Sequence, residues 1–347
     1  MNKFANKRMK EVPVFFSSDN NYVPFLVVSI QSLIDTASVK NKYNVYVLNT
    51  GLSLENRKIL KAMETHNVKI KFVDVSMKVK DIYSKLEAQL RDYYSPSIYY
   101  RLFIASMFPR LKKALYLDCD ITIVEDIANL YNKELGNNLV GAIADEVVEN
   151  NELLQDYVER AVGVPNKQYF NSGILVMNLN GFRKEKIEQK FIYLLNNYPF
   201  SSVAPDQDYL NILCKDRVLY IDKGWDKMPM PDANFNEKNL KLVHYNMFQK
   251  PWKYTDVLFE KYFWDTAKKT RYYDELIAMR ESYTEEKKAK DTEAGMKMVQ
   301  YATEVANDPN NFKNTIDRET ADTEKDENYS ILEDFLNLSL FNNPVEA

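Results

Sequence analysis

The chain has 347 residues, 45% hydrophobic and 13% aromatic, enough to bury one large domain with an appendage or two modest domains. A net charge of only −4 argues against sequence-independent nucleic-acid binding, and two cysteines, Cys119 and Cys214, exclude a disulfide framework and a cysteine-rich zinc site. No apolar run approaches the roughly 18 residues of a membrane span, and the basic N-terminus lacks the apolar stretch of a secretory signal, so a soluble protein in a reducing cytoplasm is expected.

In chain order, Val12–Ser17 reads as a strand that ends in the polar turn Ser-Asp-Asn-Asn. Tyr22–Ile34 carries apolar residues at helical intervals, Tyr43–Leu48 is a second strand, and Ser53–His66 opens with a capping serine as a helix should. Residues 68–75 alternate as a third strand. This β-α-β-α-β order predicts an α/β fold, a doubly wound parallel sheet with its ligand at the carboxyl ends of the strands. No G-x-G-x-x-G follows the first strand, which disfavours a dinucleotide site and leaves a nucleotide site open. Further apolar runs occupy 112–124, 139–145 and 169–179; Lys184–Asn197 reads as a helix, 205–208 as a turn, and a helix starts at Tyr209. From residue 265 onward the chain holds 11 Lys and Arg against 19 Asp and Glu, with apolar residues at helical spacing (Tyr273, Leu276 and Ile277, later Ile331, Leu332, Phe335 and Leu336). The expected division is therefore 1–264 as the catalytic unit and 265–347 as an acidic, mainly helical appendage.

Asp118-Cys119-Asp120 is the sharpest local feature: two carboxylates at alternate positions where the apolar run Ala114–Leu117 ends. Carboxylates beside a buried run need a compensating cation, and oxygen donors suit Mg²⁺ or Mn²⁺; solvated strand-end aspartates are the plain alternative. His244, one of two histidines, closes another strand-like run, Leu240–His244, and an imidazole beside two carboxylates favours Mn²⁺ over Mg²⁺. Lys250 follows closely enough to offer a cation to a phosphate. Asn171 with Gly173 in Phe-Asn-Ser-Gly, Asp206 and Gln207 at a helix start, and Asp145 at a strand end complete a set of polar constellations at element ends. Each has a structural alternative in a turn or a cap, and together they amount to a site.

In the order FFSSDNNY, SIYYRL, LYLDCDITI, GAIAD, YFNSGILVMNL, PDQDYLN and HYN…KPW, these motifs resemble family 8 glycosyltransferases, the retaining group of lipopolysaccharide galactosyltransferases and glycogenin, from about Val12 to Tyr254. The resemblance implies a GT-A, Rossmann-like domain. It implies Asp118, Asp120 and His244 on Mn²⁺ (Mg²⁺ more weakly) and Ser17, Asp19, Asn21 and Tyr22 on uridine. Arg101 is then a donor contact, and Asp145, Asn171, Ser172, Gly173, Asp206 and Gln207 form the donor-sugar pocket, with Lys250 on the diphosphate. Gln207 stands where a nucleophile is debated; because an amide is a poor nucleophile, the front-face route is favoured, with the departing phosphate oxygen taking the acceptor proton. One departure is Met247, where the family pattern often has glycine three residues after the histidine.

The expected activity is transfer of a hexose, galactose ahead of glucose, from a UDP-sugar to a glycan or glycoprotein acceptor such as a bacterial surface polysaccharide or an adhesin-linked sugar. A partner glycosyltransferase or a homo-oligomer fits the same setting. The alternative from another class is a catalytically idle UDP-sugar-binding scaffold subunit. A sugar-1-phosphate nucleotidylyltransferase is disfavoured because the Gly-rich basic loop it needs near the first strand is missing.

Overall fold

The computed structural model describes residues 9–88, 95–198 and 200–323. The apolar patch expected at 331–341 lies outside them. Nine strands occur among the described residues: β1 Lys10–Ser17, β2 Asn41–Asn49, β3 Val68–Asp74, β4 Lys113–Leu117, β5 Ile121–Ile123, β6 Val140–Ala144, β7 Phe170–Asn178, β8 Val218–Tyr220 and β9 Leu242–His244. Seven of them form one sheet in the order β3-β2-β1-β4-β7-β6-β8, and β5 pairs with β9 in a separate ribbon. The pairs β1·β2, β2·β3, β1·β4 and β6·β8 are parallel, whereas β7 runs antiparallel to both of its neighbours, β4 and β6.

The central strands are buried on both faces, as a sheet covered by helices on either side requires. Their side chains divide by alternation. Val12, Val14 and Phe16 of β1, Leu115 and Leu117 of β4, and Ile174 and Val176 of β7 join one apolar cluster. Phe15, Ala114, Tyr116, Leu175 and Met177 join the other. The first helix, Val23–Thr36, packs on the first of these clusters, and the helix Leu54–Ala62 begins at Ser53, whose hydroxyl accepts the Asn56 N–H at 3.1 Å. Such a cap contributes about 1 kcal/mol. A third cluster joins Phe25 and Val28 of the first helix to Trp252, Phe263, Trp264, Ala267 and Leu276, so the chain packs back onto that helix on both sides of residue 265.

Five local expectations change. The helix read from Ser53 ends at Ala62, not His66. The single helix read over Lys184–Asn197 is two, Leu179–Lys184 and Ile187–Asn197, because Lys186 takes a left-handed backbone (φ 53°) that no α-helix continues through. The 205–208 turn is the first turn of the helix Pro205–Leu213, with proline at the start, where its missing N–H costs nothing. Asp206 does not cap that helix; Ala204 stands at the cap position. The 112–124 run breaks at the Asp-Cys-Asp segment into β4 of the main sheet and β5 of the ribbon.

Beyond the third cluster, a long helix, Glu285–Asn307, crosses the molecule and a further helix, Phe312–Thr323, follows. Near its start Asp291 accepts hydrogen bonds from Lys253, Tyr254 and Tyr283. Near its end Ala302, Val305 and Ala306 are buried, and the helix packs against Glu152–Tyr157 and the turn Val158–Val162. The same helix is thus tied down at two separate places.

Candidate active site

Asp118 and Asp120 follow β4 directly, at the carboxyl end of the sheet, as the sequence pattern implies. The strand-like run that His244 closes is β9, which lies outside the main sheet and pairs with β5, and the register Ile121↔His244 sets the imidazole beside Asp120. His244 Nε2 lies 3.4 Å from Asp120 Oδ1 and 3.9 Å from Asp118 Oδ2. One ligand atom from each of the three residues lies within 4.8 Å of the other two.

The donor set fits a divalent cation on three counts. The His244 Nδ1 is held by Asp226 Oδ1 at 2.8 Å, which directs Nε2 at the two carboxylates, and a partner on the second ring nitrogen is the usual device for orienting a metal-ligating histidine. Gly173 sits against the group: a Cβ there would come within 2.5 Å of His244 Cε1 and 2.7 Å of Asp118 Oδ2. Finally, the carboxylates are already cation-compensated. Lys250 Nζ donates to Asp120 Oδ2 at 2.5 Å and to the Tyr245 carbonyl at 2.7 Å. Burial alone would raise the Asp120 pKa, but Lys250 and His244 hold it well below the ordinary carboxylate range. Burial likewise opposes a charged His244, yet Asp226 and Asp120 carry its pKa up to about 10. Two carboxylates facing two cations is an arrangement into which a metal can enter by displacing a proton and a lysine.

Arg101, 2% exposed, lies behind Asp118 and lines the cleft. Its guanidinium donates to Asp118 Oδ1 (2.9 Å), to the carbonyl (2.5 Å) and hydroxyl (3.0 Å) of Ser172 and to the Ile98 carbonyl (2.8 Å), and Nε lies 3.2 Å from Asp206 Oδ2. The ring of Tyr116 stacks under it at 4.2 Å, and the Tyr116 hydroxyl donates to Asp118 Oδ1 at 2.9 Å. This one cation therefore fastens β4, the start of β7 and the helix Pro205–Leu213 to each other.

The reversal of β7 places its first residues, not its last, at this rim. Asn171 Nδ2 and Gln207 Nε2 both donate to Asp145 Oδ2 at 3.0 Å, and the Asp145 Oδ1 caps the following helical turn through the N–H groups of Val147 and Val148. The Gln207 carbonyl accepts the Ser172 N–H at 2.9 Å, so both ends of that amide are engaged. Ser172 Oγ donates to Asp206 Oδ2 at 2.9 Å. Burial raises the Asp206 pKa to about 6, with Arg101 opposing and Asp118 adding to the rise. These residues line a cavity that also reaches His244, Asn246, Met247 and Met298.

Ser17, Asp19, Asn21 and Tyr22 stand at the end of β1 and the start of the first helix. Asp19 Oδ1 accepts the N–H groups of Asn21 and Tyr22 at 2.9 and 3.0 Å, the Cys119 thiol donates to the Ser17 carbonyl at 3.1 Å, and Tyr22 as a whole is 36% exposed. Met247 keeps a left-handed backbone, φ 57°, the conformation glycine favours, so the chain retains there the path a glycine would take despite the side chain. The sequence reading missed Asp226, Tyr116 and Met298. Asp226 lies in Gly-Trp-Asp-Lys with no motif around it; only the bridge of Lys227 to Val243 brings it under His244.

Residues 13–256 match Glycosyl transferase family 8, and the chain belongs to that family. A putative glycosyltransferase of Haemophilus influenzae is 30% identical over 66% of this chain and 67% of its own length. A lipopolysaccharide 1,2-glucosyltransferase of Escherichia coli is 27% identical over 72% of this chain and 75% of its own. Among solved structures, the bifunctional glycosyltransferase WbbM superposes with a TM-score of 0.67 and 25% identity over 81% of this chain, which spans about half (53%) of that protein. The galactosyltransferase LgtC, solved with donor and acceptor sugar analogues, superposes at 0.62 with 24% identity over 75% of this chain and 96% of its own, a likeness of fold. The architecture is the GT-A one, a mostly parallel sheet flanked by helices with further helices at the C-terminal end. No helix among the described residues is long and apolar enough to cross a membrane.

Proposed function

We propose that the protein is a retaining hexosyltransferase that moves galactose or glucose from a UDP-sugar to a glycan acceptor, with a divalent cation, Mn²⁺ best, held by Asp118, Asp120 and His244. The observation that carries this reading is the convergence of those three ligands with Lys250 on one side and the Asp145–Gln207–Asn171 network on the other. Relatives named as a glucosyltransferase and a galactosyltransferase support a hexose donor, and the bacterial surface glycan of the former supports a glycan acceptor. Bound there, a cation supplies positive charge to the diphosphate as the sugar departs.

The chain's own groups divide the remaining work. Lys250 moves from Asp120 to the diphosphate and stabilises the charge developing on UDP. Tyr22 offers its ring to the uracil, and Asp19 shapes the turn that presents it. Asp145 accepts four hydrogen bonds and acts by orienting Asn171 and Gln207 against the sugar, not as a base. Gln207, with its carbonyl committed to Ser172, is a positioning group, which favours the front-face route. The test is a panel of UDP-sugars with Mn²⁺ or with EDTA, followed by NMR of the product. Mn²⁺-dependent release of UDP, an α linkage from an α-linked donor and loss of turnover in Asp120→Ala are expected. Full turnover in EDTA contradicts the metal assignment, and a β product contradicts retention.

A further inference from the structure

The long helix Glu285–Asn307 lies beyond the family match, which ends at residue 256. Asp291, Gly295, Met298, Ala302 and Val305 recur at intervals of three and four, so they share one face of it. The two ends of that face are accounted for by packing: Asp291 is held by Lys253, Tyr254 and Tyr283, while Ala302 and Val305 are buried near the turn Val158–Val162. The middle is not. Met298 reaches into the cavity that holds the Asp118–His244 group, and Gly295 and Thr292 face a second cavity. The two cavities share Val147, Asn246 and Met247, so the second opens directly beside the first.

The second cavity is floored by Met228, Pro229, Met230, Phe248 and Tyr254. Its one charged lining residue among those described is Asp291, already engaged by a lysine and two tyrosine hydroxyls. An apolar floor, the amides of Asn246 and Gln249 and no free cation suit the flat face and hydroxyl groups of an uncharged sugar, and give a phosphate or carboxylate nothing to pair with. Gly295 keeps this space open. Its backbone is ordinary helix, and a Cβ would meet Phe248 at 3.6 Å, a normal contact, so neither conformation nor packing requires glycine there. Glycine is a poorer helix former than alanine, and what it yields here is room.

We propose that the long helix forms one wall of the acceptor site, with Gly295 and Met298 as specificity-determining residues that admit the uncharged terminal sugar of an acceptor and turn away an anionic one. This rests on the transferase reading above. The experiment uses the full-length protein with Mn²⁺ and a UDP-hexose, and octyl β-glycosides of galactose, glucose and N-acetylglucosamine as acceptors, each beside its phosphomonoester. Wild type transfers to at least one neutral glycoside and prefers it to the phosphorylated form. Gly295→Leu, which fills the cavity, lowers kcat/KM for that glycoside roughly tenfold or more, chiefly through KM, while UDP release without acceptor stays within about twofold. Met298→Ala changes the ranking of the three sugars. Gly295→Ala, which fits beside Phe248, melts no lower than wild type and serves as the folding control. Equal kcat/KM in wild type and Gly295→Leu overturns the wall assignment, and so does preference for the phosphomonoester or transfer to none of the neutral glycosides. Absence of UDP release by wild type from any UDP-hexose overturns the transferase reading instead.

Discussion

The His244 imidazole is held from both sides, by Asp226 on Nδ1 and by Asp120 and Asp118 near Nε2, and its orientation depends on the hydrogen bond to Asp226. Asp226→Ala frees the ring and should weaken Mn²⁺ binding about 10–100-fold; Asp226→Asn keeps an acceptor for Nδ1–H and should recover part of it. Calorimetric titration with Mn²⁺ checks this, and unchanged affinity in Asp226→Ala would place control of the ring elsewhere. Asp206 makes a different statement. Burial raises its pKa from 3.8 to about 6, so between those values the folded state binds more protons than the unfolded one. This group's contribution therefore makes the metal-free protein less stable as pH rises from about 4 to 6, by about 3 kcal/mol at most, and flat above. Urea unfolding in EDTA should show a weaker decline across that window in Asp206→Asn than in wild type. Equal slopes would remove Asp206 as the cause.

At the scale of elements, the parallel part of the sheet was legible because β1, β2 and β3 alternate with helices and carry apolar runs of strand length. The carboxylates were legible because two aspartates ending such a run stand out against it. The reversal of β7 was not, since a strand buried on both faces reads the same in either direction. Nor was the β5–β9 ribbon: three residues at each partner carry too little pattern to separate them from the flanking loops. Lys186 broke an otherwise helical pattern through its backbone alone, which composition does not announce. The reversal gives Gly173 its importance, because it lays the start of β7 against Asp118 and His244. Gly173→Ala should displace both side chains and abolish measurable Mn²⁺ binding, at a stability cost of about 1–3 kcal/mol. A folded Gly173→Ala protein that binds Mn²⁺ as wild type does would show that the neighbours yield easily.

Over the whole molecule, composition foretold an acidic helical region after residue 265 but not what it touches, because amphipathic spacing says that a face is covered and not by which surface. The long helix is tied to the loop that follows His244 at one end and to the turn after Tyr157 at the other. Ala302 is fully buried at the second attachment. Ala302→Glu would set an unpaired carboxylate there, which the interior does not accommodate. The expected result is a lower Tm, faster amide hydrogen exchange over 285–307, and a larger loss of acceptor transfer than of UDP affinity. Unchanged exchange across that segment would show that the attachment is not held by this contact.

The pairing of β4 with β7 also bears on how the chain reaches this state. Leu117 lies opposite Ile174, far along the chain, and closing so long a loop is slow because its entropy is lost before the contacts repay it. Asp118 and Gly173 become neighbours only when that closure is complete, so the proposed metal and nucleotide would find nothing to bind in a half-folded chain. Ligands of this centre should accordingly slow unfolding while leaving the refolding rate unchanged, as interactions absent from the transition state do. Stopped-flow refolding and unfolding with and without Mn²⁺ and UDP would show it, and ligand-accelerated refolding would mean that the centre of the sheet closes early.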